Sequence, residues 1–215
     1  MDRRFLIILV VIVLGFVGIM TFNKKEQAAE TAANTSAVGS QNFYGKMDSP
    51  VTITEFVDFQ CEACYAYYPF VKQVKEKYKD QVRFQIRYFP ITSGHQFSYQ
   101  AARSVEAAAR QGKFWEMHDL VFENQKVWEQ TQNPQSSFEA YAQQIGVDMA
   151  KFRTDRDSAD AAGVINKDIA DVKQLGGNGT PTFAVNNKIY NDASPSVESL
   201  SKMIDDALAQ QASQN

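Results

Sequence analysis

Val51-Thr52-Ile53-Thr54-Glu55-Phe56-Val57-Asp58-Phe59, followed at once by Gln60-Cys61-Glu62-Ala63-Cys64, is the stretch from which the rest of this chain is read. Its first nine residues are mostly β-branched or aromatic and are bounded by Ser49-Pro50, which predicts a largely buried strand. Beyond the cysteines, Tyr67, Phe70, Val71, Val74 and Tyr78 recur at helical spacing, with Lys72, Lys75, Glu76 and Lys77 between them on a wet face. Cys61 therefore falls at or just before a helix N-terminus, where free N–H groups and the positive end of the helix dipole stabilise a thiolate. Pro69 is expected to kink that helix.

Cys61 and Cys64 are the only cysteines of the chain. With two residues between them, they can close a small disulfide ring and reopen it by thiol exchange. The same spacing makes half of many zinc sites, but zinc needs four ligands. There is no third cysteine, and His95 and His118 stand apart from each other and from the pair in sequence, so no metal is expected. Two inert core cysteines and a metal site share the remaining alternatives.

A second signal lies far downstream in Gly176-Gly177-Asn178-Gly179-Thr180-Pro181-Thr182. A strand-like Thr182-Phe183-Ala184-Val185 follows the proline, and Asn186-Asn187 predicts a tight hairpin turn into Lys188-Ile189-Tyr190. A cis bond at Thr180-Pro181 is one reading, and a trans proline in an ordinary loop is the other.

Strand, Cys-x-x-Cys, helix, then Gly-Thr-Pro-Thr and a hairpin resembles the thioredoxin fold. The stretch 50–64, Arg87-Tyr88-Phe89-Pro90, Gly112-Lys113-Phe114-Trp115-Glu116-Met117-His118-Asp119 and Phe122-Glu123-Asn124-Gln125 are similar to the DsbA family of thiol-disulfide oxidoreductases. The likeness covers about residues 41–209. It implies an α/β fold in which a helical insertion, about residues 95–175, separates the Cys-x-x-Cys half from the proline half. Helical patterns at 96–110, 113–125, 138–145, 149–156 and 159–175 fit that insertion. A last helix from Ser194-Pro195, apolar at Leu200, Met203, Ile204, Ala207 and Leu208, closes the other side of the sheet.

The resemblance also implies roles. Cys61 is the attacking, substrate-linked thiol and Cys64 the resolving thiol, while Thr180 and Pro181 bind the substrate chain through backbone groups. Strand alternation places Glu55 with Ile53 and Val57, apolar company that raises a carboxyl pKa and suits it to relay the proton of Cys64. A carboxylate paired with Arg83 or Arg87 is the competing reading. His118 is expected to serve packing, and His95, in a loop after the second strand, to lie near the site without a chemical role. The strongest oxidants of the family carry Pro-His between the cysteines, where this chain has Glu62-Ala63. Without that imidazole the Cys61 thiolate loses stabilisation, and the disulfide should be less oxidising.

Residues 5–20 are uncharged and apolar behind Arg3-Arg4; extended through Phe22 as a helix they span about 27 Å, close to a bilayer core. Residues 1–22 are expected to be an uncleaved signal anchor, 23–41 a flexible linker and 42–212 the catalytic domain, held outside the cytoplasm. With 25 acidic against 22 basic residues, nucleic acid is not an expected partner. The sequence thus predicts a monomeric, cofactor-free, membrane-anchored oxidoreductase that introduces disulfides into reduced exported proteins. By resemblance, a membrane quinone-linked thiol oxidase reoxidises it. A reductase or isomerase of the same fold and a tethered binding module are the alternatives.

Overall fold

The computed structural model describes residues 38–213. The expected anchor, and the linker up to residue 37, lie outside the described residues. Among those described, no helix is long and apolar enough to cross a membrane.

The strands are β1 (Asn42–Gly45), β2 (Thr52–Val57), β3 (Arg83–Tyr88), β4 (Thr182–Val185) and β5 (Lys188–Tyr190). They form one sheet in the order β1-β3-β2-β4-β5. β2 and β3 run parallel, with α1 (Glu62–Lys77) as the crossover, while β1, β4 and β5 pair antiparallel. The predicted strand at 51–59 is thus central, with β3 and β4 on its two sides, and its apolar run reflects cover on both faces. Pro69 lies inside α1 without ending it.

Between β3 and β4 come α2 (Ser98–Ala109), α3 (Phe114–Glu123), the single turn α4 (Gln125–Trp128), α5 (Gln135–Gln144), α6 (Met149–Asp157) and α7 (Ala159–Leu175). This is the expected insertion. Ser158 caps α7 by accepting the amide N–H of Ala161, and Gly176, at φ 96°, ends it in the left-handed conformation that glycine adopts freely. The last helix, α8 (Val197–Ala212), starts two residues later than the Ser194-Pro195 expectation, because Ser196 is the residue whose side chain caps it.

Alternation along β2 sorts its side chains as predicted. Ile53 packs with Val71, Val74, Leu200, Met203 and Ile204 under α1 and α8, whereas Phe56 meets Val172 of α7 on the opposite face. The largest core lies toward the insertion, where Val57, Phe59, Cys64 and Tyr88 join Met117, Trp128, Phe138 and Phe152.

Two features escaped the sequence reading. β1 is an edge strand of four residues whose ladder lies entirely along β3. The expected linker also stops short of residue 41: Ser40 is buried, its hydroxyl donating to Asp168 at 2.6 Å and to the Ile86 carbonyl at 3.2 Å. Asn186 and Asn187 form the predicted turn, with φ of 48° and 64°.

Candidate active site

Cys61 is the N-cap of α1, and a tight turn delivers it there. Its amide donates to the Asp58 carbonyl at 3.1 Å, and the Asp58 carboxylate accepts the Gln60 amide at 2.8 Å. The insertion holds the same turn from behind. The fully buried Gln125 side chain donates to the carbonyls of Phe59, at 2.8 Å, and Cys61, at 3.1 Å. Cys64 lies one turn into the helix at 1 % exposure, against 8 % for Cys61, and both are thiols.

The downstream signal reaches the same place. The Cys61 thiol donates to the Thr180 carbonyl at 3.4 Å, across 119 residues of sequence, and Thr180-Pro181 is a cis peptide. Beside it runs a groove lined by Tyr67, Asn178, Pro181, Tyr190 and Ala193. β4 places Pro181 at this end because Thr182 opens the strand opposite Phe56 of β2.

The two thiols are electrostatically unequal. A hydrogen bond from Cys64 is the main reason the Cys61 thiol drops to about 5; burial opposes this, and the Thr180 side chain and the amides of Cys64 and Ala63 assist. Burial pushes Cys64 far the other way, reinforced by Cys61 and by Glu55. The Glu62 carboxylate is mostly exposed, and the Cys61 thiol beside it is nonetheless lowered.

Glu55 sits beneath this pair, and burial alone raises its carboxyl to about 8. It lines a cavity of about 10 Å³ with Ile53, Val71, Phe84, Phe183 and Met203, space for a single water at most. Among the described residues neither arginine of the competing ion-pair reading is paired with Glu55, whose only perturbing cause is burial. Arg83 bonds Thr52 and the Met47 carbonyl, and Arg87 bonds Asp168 and Asp171.

His118 is buried among the rings of Phe59, Tyr68, Phe114, Trp115 and Phe122, with Nδ1 against Asp119 at 2.9 Å, the packing position that was expected. His95, far from the cysteines in sequence, lies near the site as expected. The loop after β3 folds back so that Asp58 accepts both the Ile91 amide, at 2.8 Å, and His95 Nδ1, at 2.7 Å. The other ring nitrogen then faces the cysteine end of α1, where donor atoms of Cys61, Glu62 and His95 lie within 4.8 Å of one another. Burial works against the charged ring, but Asp58, Cys61 and Glu62 together raise its pKa. Asp58 and Gln125 were not assigned any role from sequence, although both lie in motifs already singled out.

Comparisons with known proteins agree with this architecture. Among solved structures, BdbD of Bacillus subtilis in its oxidised form superposes with a TM-score of 0.65 at 24 % identity, covering 81 % of this chain and 97 % of that one. The thiol-disulfide exchange protein alpha-DsbA2 of Wolbachia pipientis gives 0.65 at 22 %, covering 86 % and 96 %. The catalytic domain of Proteus mirabilis ScsC gives 0.64 at 20 %, covering 85 % and 96 %. At these identities the likeness is one of fold. Among curated sequences, a Na(+)/H(+) antiporter, NhaA 3 of Salinispora tropica, is 34 % identical over 167 residues, which are 77 % of this chain and 24 % of the antiporter. The chain spans about a quarter of the length of the curated relatives it matches. A family model described as thioredoxin matches residues 37–206, and with the strand, cysteine pair and proline loop arranged as above, the chain belongs to the thioredoxin family.

Proposed function

We propose that this chain is an extracytoplasmic thiol-disulfide oxidoreductase that passes the Cys61–Cys64 disulfide to reduced exported proteins. The observation that carries the reading is the unequal placement of the two sulfurs. Cys61 stands at the open N-terminus of α1 beside the Thr180 carbonyl, and Cys64 is sealed beneath it. In the transfer, a substrate thiolate attacks the Sγ of Cys61 and the Cys64 sulfur leaves, taking a proton from Glu55. A second substrate thiolate then displaces Cys61, leaving the substrate oxidised and the enzyme as a dithiol. Thr180 and Pro181 border the groove where the substrate backbone lies, and Tyr67 and Tyr190 form its wall.

The position of Cys61 favours its thiolate and hence the reduced enzyme, which supports the oxidising direction. The resemblance to the DsbA family supports a membrane quinone-linked oxidase as the reoxidising partner. The apolar run at residues 5–20 supports a membrane anchor with the domain acting as a monomer outside the cytoplasm. A milder oxidant or a reductase is the second reading, favoured by Glu62 in place of a cationic neighbour. Oxidised full chain should reactivate a reduced, disulfide-containing test protein, and Cys61→Ser should abolish this. Undiminished reactivation by that variant overturns the reading in favour of a tethered binding module, and the equilibrium redox potential of the pair decides between oxidant and reductant.

A further inference from the structure

The carboxylate behind His95 does more than position a loop. With Nδ1 bound to Asp58 at 2.7 Å, the ring can present only Nε2, and Nε2 is 3.7 Å from a carboxylate oxygen of Glu62. A carboxylate behind the far nitrogen of a histidine is the arrangement that fixes imidazole ligands of metal ions and raises their basicity. The third donor, Cys61 Sγ, is within 4.8 Å of both.

We propose that the dithiol form of this chain binds a thiophilic divalent cation, zinc above all, through Cys61 Sγ, His95 Nε2 and a Glu62 carboxylate oxygen. Zinc–sulfur and zinc–nitrogen bonds of about 2.3 and 2.0 Å place neighbouring ligand atoms of a tetrahedral ion about 3.3–3.5 Å apart. The 3.7 Å pair is already near that spacing. Glu62 is 72 % exposed and free to close the remainder, whereas His95 is held in place. One thiolate and one carboxylate balance the double charge of the ion, and the mixed S, N and O donor set suits a borderline-soft metal better than magnesium or calcium. The fourth position opens to solvent and takes water, as in zinc sites with three protein ligands. Cys64 is sealed beneath and is not a donor.

The ion binds the Cys61 thiolate, so near neutral pH binding needs little proton release, and the sulfur stays reduced. The ion covers the atom that exchange requires, and disulfide formation removes the thiolate and with it the site. The cation is thus a ligand of the dithiol state only. Binding rests on the donor atoms alone, and only its inhibitory effect rests on the function proposed above.

Untagged full chain, reduced with a phosphine, is titrated with zinc chloride against a chromophoric chelator, and Cys61 alkylation by iodoacetamide is followed by peptide mass. A single zinc should bind and protect Cys61, and the oxidised chain should bind none. His95→Ala should weaken binding beyond the roughly 10–100-fold that loss of a ligand's supporting partner costs, and Glu62→Gln, on an exposed side chain that leaves the fold intact, by roughly tenfold or more. Zinc bound equally by the disulfide form, or unchanged affinity in either variant, overturns the site. A chain that fails in exchange yet binds zinc through His95 supports it, and one active in exchange that binds no zinc overturns it.

Discussion

Arg87 donates through Nε to the Asp168 carboxylate at 2.7 Å, joining the sheet to α7 where Asp168 is wholly shut off from solvent. The same carboxylate accepts the Tyr88 amide at 2.9 Å and the Ser40 amide at 3.0 Å. Removing one partner of a buried pair strands the other, so Asp168→Ala should lower unfolding free energy by about 3–5 kcal/mol. Chemical denaturation of the full chain measures this, and a loss below about 1 kcal/mol would show that water replaces the carboxylate without penalty.

Glu55 makes stability depend on pH. Its carboxyl rises from an ordinary 4.5 to about 8 in the folded state. The folded state therefore holds this proton more tightly than the unfolded one, and the contribution is fully present below about 4.5 and lost as pH rises through about 8. The slope should approach about 1.4 kcal/mol for each pH step between those values. Glu55→Gln should flatten that part of the profile. Parallel unfolding curves at several pH values check it, and an unchanged slope in the variant assigns the dependence to other groups.

Cys64→Ala should accumulate a covalent complex with substrate through Cys61, because no thiol remains to resolve the mixed disulfide. Non-reducing electrophoresis and peptide mass identify the linked sulfur. Trapping through Cys64 in a Cys61→Ala chain, without the reverse, would invert the assigned roles.

Gln125 ties two buried carbonyls of the cysteine turn to the insertion. Gln125→Met, similar in shape but without donors, should cost about 1–3 kcal/mol for the Phe59 carbonyl, since the Cys61 carbonyl keeps the Tyr65 amide. Amide hydrogen exchange at residues 60–64 should accelerate, because the turn loses its support. Unchanged exchange there would show that Asp58 and Gln60 hold it unaided.

The local signals were legible because their physics is local. Apolar alternation in β2, helical spacing in α1, the helical stretch of α7 and the Asn186-Asn187 turn each need only neighbours in sequence. What escaped reading needs the fold closed. β1 carries no pattern beyond four residues and exists because β3 offers an open edge. Ser40 resembles any other linker residue until Asp168 is brought to it from α7. The same holds at the site. His95 was expected near the site, but its bond to Asp58, 37 residues earlier, shows only once the loop has turned inward. Gln125 was visible within a family-like motif, yet only its contacts disclose that it supports the cysteine turn.

The insertion has a temporal meaning as well. Cys61 and Thr180 meet across 119 residues, with α2 to α7 between them. A chain emerging N-terminus first exposes its cysteine pair long before the proline loop exists. β2, α1 and β3 can associate early through contacts of short sequence separation, whereas β4 must be brought back past a finished helical block to lie beside β2. The cysteine pair thus precedes the groove beside Thr180 and Pro181 in the order of synthesis. The half-made protein carries its thiol pair uncovered, and only the last fifth of the chain brings Thr180 against it.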